Sequence, residues 1–164
     1  MSSGAALAVA LALAPAVVAQ PDFSATPIFG TFTLVTGFVP DPQPVPVLTG
    51  GPDDASMLGL VDAASGEPCR GWMNGAAPDV RVSYPGGEAF PLRFYVASDS
   101  DTTLCVNLPD ATWRCNDDTV GLNPVVQVDA PASGQYDIWI GNYAGGAPEP
   151  ATLYVTELAT NGPP

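Results

Sequence analysis

The stretch Gln135-Tyr136-Asp137-Ile138-Trp139-Ile140 decides the fold class. Tyr136, Ile138 and Ile140 fall on one face of an extended chain and Gln135, Asp137 and Trp139 on the other, which is the two-residue period of a strand. Leu104, Val106 and Leu108 repeat the pattern, as do Leu153 and Val155 with Glu157 in phase. Working outward, short runs rich in Val, Ile, Thr, Phe and Tyr recur over 30–35, 45–49, 80–84, 92–97, 103–108, 112–115, 125–129, 135–140 and 151–158, each bounded by Pro, Gly or Asp. No stretch after residue 20 sustains a 3.6-residue apolar period. About eight or nine short strands predict an all-β chain, an antiparallel β-sandwich of jelly-roll type.

The connections carry their own chemistry. Leu108-Pro109-Asp110-Ala111 reads as a tight hairpin with Pro at its first corner, and 84–88 and 130–134 read as connectors. Prolines at 40, 42, 44 and 46 exclude a central strand and predict an extended edge segment or a polyproline-like arm. Residues 50–59 read as a loop with at most one helical turn. The organisation expected is a signal peptide over 1–19, a strand and Pro-rich arm over 20–50, the sandwich over 51–159 and a disordered tail over 160–164.

Composition removes many functions. The chain has 164 residues, 17 acidic side chains against 4 basic ones, all arginine, and no histidine. Without histidine there is no Ser-His-Asp or Cys-His catalysis and no imidazole metal site. Without lysine there is no Schiff base and no phosphate-binding P-loop. A net charge of −13 repels nucleic acid and anionic membrane surfaces. The apolar run 5–19 ends in Val17-Val18-Ala19 before Gln20-Pro21 and has the length of a signal-peptide core. Pro15 interrupts it, and it is short for a membrane span. Export to the periplasm or the extracellular medium follows, with no membrane insertion after cleavage, and export permits disulfides. Three cysteines leave one unpaired or bonded to another chain. Cys105 and Cys115 lie on the two arms of one hairpin. Cys69 with Cys115 would close a much longer loop, a constraint of about 4 kcal/mol in the chain-entropy picture. No histidine or lysine is present to activate a thiol.

Acidic residues gather in Ser98-Asp99-Ser100-Asp101 and in Cys115-Asn116-Asp117-Asp118, ahead of Gly121 and Asn123. If a hairpin separates them, both clusters sit at one end of the sheet. Asp99, Asp101, Asp117 and Asp118 are then hard oxygen donors of the kind Ca²⁺ takes, and without a cation they raise one another's pKa. The alternative is turn chemistry, in which Asp caps backbone amides. The spacing is not an EF-hand. A glycosidase pair needs one acid in an apolar pocket, whereas these lie in polar turns. Asp101-Thr102-Thr103 and Asp118-Thr119-Val120 lack the glycine of an aspartic-protease motif. Among the aromatics, Trp72 and Tyr136 read as core, whereas Trp113 and Trp139 are out of phase with the aliphatic faces and are candidates for an exposed binding surface.

The run Leu92-Arg93-Phe94-Tyr95-Val96, Ser98-Asp99-Ser100-Asp101-Thr102-Thr103-Leu104, Pro109-Asp110, Asn116-Asp117-Asp118, Ser133-Gly134-Gln135-Tyr136-Asp137-Ile138-Trp139-Ile140-Gly141 and Leu153-Tyr154-Val155-Thr156-Glu157-Leu158 resembles the bacterial pre-peptidase C-terminal (PPC) domains over about residues 69–158. The resemblance implies a non-catalytic, jelly-roll-like sandwich. It also implies Ca²⁺ on Asp101, Asp117 and Asp118, with Asp99 beside them, and contact with a protein or polysaccharide partner. It favours the Cys69–Cys115 disulfide and leaves Cys105 free. Ala111 departs from the family's turn glycine. The resulting expectation is an exported binding module and no enzyme. The alternatives are a protease-associated factor or inhibitor, a carbohydrate-active hydrolase, or a structural envelope protein whose Pro-rich arm joins a neighbouring sheet.

Overall fold

The alternating stretch around Trp139 becomes the longest strand of the protein and the axis of its larger sheet. The computed structural model describes residues 20–87 and 89–164, so the signal-peptide reading of 1–19 lies outside the described residues. The described residues form eleven strands: β1 (Thr31–Thr33), β2 (Gln43–Leu48), β3 (Asp53–Asp54), β4 (Trp72–Met73), β5 (Val80–Tyr84), β6 (Leu92–Ala97), β7 (Thr102–Asn107), β8 (Trp113–Asn116), β9 (Val125–Val128), β10 (Gly134–Asn142) and β11 (Pro150–Thr156). Ala55–Leu58 forms one 3-10 turn, capped by the Asp54 carboxylate on the Ser56 N–H.

β10 pairs antiparallel with β7 on one side and with β5 on the other, where β4 continues the ladder at Asn142. β8 lies beyond β7, and β3 beyond β4. β1 joins β5 in parallel, at Thr31 opposite Arg81, the one departure from an antiparallel pattern among these pairs. The second sheet has the order β2-β11-β6-β9. The fold is an all-β sandwich.

Alternation explains the main core. Tyr136, Ile138 and Ile140 of β10 point between the sheets with Val80 and Val82 of β5 and Leu104 and Val106 of β7. They meet Val45, Val47, Phe94, Leu153 and Val155 of the second sheet. The opposite phase of β10 is not solvent-facing. Residues 50–71 fold over the outer face and build a second apolar cluster of Ala55, Leu60, Cys69, Met73, Cys105 and Trp139. β7 is therefore buried at every residue and β10 over most of its length.

The Pro-rich arm is the edge strand β2. Thr49 N–H donates to the Glu149 carbonyl at 2.9 Å. Antiparallel alternation then makes Val47 and Val45 the positions that bond β11, and turns Pro46 and Pro44 outward, where no ladder hydrogen bond is lost. Within the segment expected as a disordered tail, Asn161 Nδ2 donates to Thr156 Oγ1 at 2.9 Å.

Candidate functional site

Strand β7 leaves the acidic loop 98–101 and β8 returns to the loop 116–118, so three of the four predicted acids share one pole. Burial first, then the charges of Asp118 and Asp117, push the Asp101 carboxyl above its ordinary range. Asp101 Oδ1 is buried without a hydrogen-bond partner among the described residues. Asp99 departs from this group. It is exposed and lines a groove with Pro46, Val47 and Pro150, and it is not among the charges acting on Asp101.

The neighbouring amide oxygens are committed to holding the loops. Asn116 Oδ1 accepts from Val125 N–H at 2.8 Å and from the Thr119 hydroxyl at 2.7 Å. Asn123 bonds Ser98 through both ends of its side chain, at 3.0 and 3.2 Å. Asp117 Oδ1 accepts from the Asp118 N–H at 3.0 Å. Turn chemistry is thus present alongside the charge cluster. Among the described residues, the one set of three potential ligand side chains whose atoms all lie within 4.8 Å of one another is Cys69, Cys105 and Cys115. The four aspartates do not form one closed cage.

Cys69 and Cys115, 46 positions apart in the chain, form the disulfide, and Cys105 is free and buried. The bond fastens the 50–71 segment to β8. Asp62 completes this junction. Its Oδ1 accepts from Arg114 Nε at 3.0 Å and Cys115 N–H at 2.9 Å, and its Oδ2 accepts from Ser65 N–H at 2.8 Å. Burial works against ionising Asp62, but the hydrogen bonds from Cys115, Ser65 and Arg114 outweigh it and hold the carboxyl below its ordinary range. The pole opens beside this junction onto a cleft of about 260 Å³ lined by Glu67, Arg70, Asp117 and the disulfide.

The expected aromatic surface is corrected. Trp139 is 0% exposed, its indole N–H donating to the Asn74 carbonyl at 2.9 Å. Trp113 is half-buried against it, ring centroids 5.1 Å apart. Strand phase placed both residues on the outer face, and the 50–71 segment covers that face. Trp72, read as core, is instead 37% exposed, because β4 is too short to show a period and its inward position belongs to Met73. Tyr136 is core.

No protein-family model and no curated protein matches the chain. Among solved structures, PliG of Aeromonas hydrophila, a periplasmic lysozyme inhibitor of g-type lysozyme, aligns over 77% of this chain and 96% of its own at 16% identity and a TM-score of 0.35. A superposition this loose carries no argument about partner or activity, and the sandwich rests on its own strand pairing.

Proposed function

We propose that the protein is an exported, non-catalytic binding module of the PPC type, which presents a protein- or polysaccharide-binding surface on a rigid sandwich. The observation that carries this reading is the commitment of the buried carboxylates to structural partners. Asp137 pairs with Arg81 at 2.7 Å, Asp62 with Arg114 at 3.0 Å, Asp79 accepts from Ile140 N–H at 2.7 Å, and Glu157 is held by Tyr84 and Gly37. A hydrolytic pair would need two acids facing a substrate-sized apolar pocket. The disulfide and the apolar run 5–19 support an exported location.

A Ca²⁺ ion at the acidic pole belongs to the same reading. Asp101 with Asp117 or Asp118 would hold it, and the support is the partnerless Asp101 Oδ1 beside two further carboxylates. The ion would neutralise the loops and fix their shape. It would add no bond-breaking chemistry.

Two measurements test these statements separately. Incubation with glycan and peptide pools is expected to give no turnover, and turnover abolished by Asp101→Asn or Asp117→Asn overturns the non-catalytic reading. Melting with Ca²⁺ against chelator is expected to raise the midpoint of the wild type by several degrees and to leave Asp101→Asn unmoved. An unmoved wild-type melt removes the ion and leaves the module.

A further inference from the structure

The second cleft at the foot of β4 is lined by Asp54, Ser56, Arg70, Gly71, Trp72 and Tyr143, and encloses about 230 Å³. Both aromatic rings are substantially exposed, Trp72 at 37% and Tyr143 at 41%. They are brought together by register: Trp72 pairs with Asn142 across β4 and β10, which makes Tyr143 its neighbour, and the Tyr143 N–H is tied to the Asp101 carbonyl at 3.1 Å.

The indole is held in place. A Cβ at Gly145 would stand 3.0 Å from Trp72 Cδ1, so that turn packs closely against the ring. Gly71, between Arg70 and Trp72, has φ +92° and no room for a side chain, since a Cβ would fall 2.2 Å from Thr103 Oγ1. Arg70 and Trp72 are thereby aimed by a backbone conformation that only glycine adopts without cost.

Several polar atoms of the cleft are uncommitted. Arg81 and Arg114 are ion-paired and Arg93 donates to Gln127, whereas Arg70 has no hydrogen-bond or ion-pair partner among the described residues. Neither the Trp72 indole N–H nor the Tyr143 hydroxyl has a partner among them either. Asp54 Oδ1 is taken by the Ser56 N–H and hydroxyl at 3.0 and 2.7 Å, which leaves Oδ2 as a free acceptor. Two stacking faces, a ring of donors and one carboxylate acceptor match a polyhydroxylated ring, with C–H groups for the aromatic faces and hydroxyls for the guanidinium and carboxylate.

Charge narrows the choice. Within the cleft one guanidinium balances one carboxylate, while the chain as a whole carries −13. A polyanionic glycan is repelled by the molecule, and a basic peptide, which the molecule would attract, meets Arg70 in the cleft. The volume is below the roughly 300 Å³ at which pockets for drug-sized ligands begin and suits a single ring.

We propose that Trp72, Tyr143, Arg70 and Asp54 form a subsite for one uncharged pyranose unit of a glycan. The inference rests on the binding-module reading and names its ligand class and its place.

The test is titration of the mature chain with cellohexaose, maltohexaose, chitohexaose and hexagalacturonate, followed by calorimetry and tryptophan emission. At least one of the three neutral hexamers is expected to bind saturably and to shift the emission, with hexagalacturonate weaker than that hexamer. Trp72→Ala and Arg70→Gln should each weaken binding by about tenfold or more at an unchanged melting midpoint. No binding of any neutral hexamer at millimolar concentration overturns the subsite, as does binding that both variants retain or a preference for the anionic hexamer. A defined protein or polysaccharide partner held equally by wild type and Trp72→Ala would keep the module reading and sink the subsite, so the two failures are distinguishable.

Discussion

Cys105 and Cys115 stand directly opposite each other on β7 and β8, yet Cys115 is bonded to Cys69. The Cys115 N–H points away from β7 to Asp62, which marks the Cys105–Cys115 position as a non-hydrogen-bonded pair, the closer of the two kinds of cross-strand pair. Removing the longer-range partner should therefore redirect the bond. Cys69→Ser, refolded under oxidising conditions, is expected to form Cys105–Cys115, as read by peptide mapping. It should lose about 1–2 kcal/mol, since a hairpin loop replaces a much longer one. Two free thiols in that variant would contradict the geometry.

The wild-type Cys105 thiol should be silent while the protein is folded. Burial first, and the Asp62 charge second, push it up to about 12. The thiolate is the reactive species, so a disulfide reagent at pH 8 is expected to label the native protein negligibly and the denatured protein at one thiol per chain. Rapid native labelling would show that the 50–71 cover opens readily.

Asp79 sets a pH dependence of definite sign. Burial pushes its carboxyl up to about 7, partly offset by the Ile140 N–H, against 3.8 as its ordinary value. The folded state then holds the proton more tightly than the unfolded chain. The stability this group contributes is complete below about pH 4 and is lost as pH rises to about 7. Asp79→Asn keeps an oxygen for Ile140 without the charge. Its unfolding free energy relative to wild type should improve from pH 4 to pH 8, by as much as about 4 kcal/mol. Parallel denaturant-derived stability curves for the two proteins would refute this.

Trp139 should be among the costliest side chains to truncate. Trp139→Ala opens a cavity in the second core and strips the Asn74 carbonyl of its donor. The expected loss is about 3–5 kcal/mol. Trp113→Ala, at a half-buried ring, should cost about 1–2 kcal/mol. Equal losses in chemical denaturation would contradict this ranking of the two rings.

What the sequence made legible follows from how locally each feature is encoded. Val80–Tyr84 and Leu92–Ala97 are five- and six-residue runs bounded by turn formers, and both become strands with those bounds. β3 and β4 have two residues each, too few for any period to register, and with them went the placement of Trp72. Alternation assigned Trp139 correctly to the outer face of β10. Whether that face is covered is decided by residues more than 60 positions away, which no local pattern reports. The meeting of Asp101 with Asp117 and Asp118 was readable because a single hairpin joins their loops, whereas Asp99, two residues from Asp101, faces the groove beside Pro46.

The outward prolines of β2 bear on how the molecule behaves in a crowd. A foreign strand approaching that rim needs donors and acceptors in alternation, and at Pro44 and Pro46 it meets carbonyls with no N–H beside them. The Pro44 carbonyl is moreover already engaged by the Gln43 side-chain amide at 3.1 Å. Fibre-like growth through this border is blocked by covalent structure, so the protein can reach high concentration without zipping to its copies along that side.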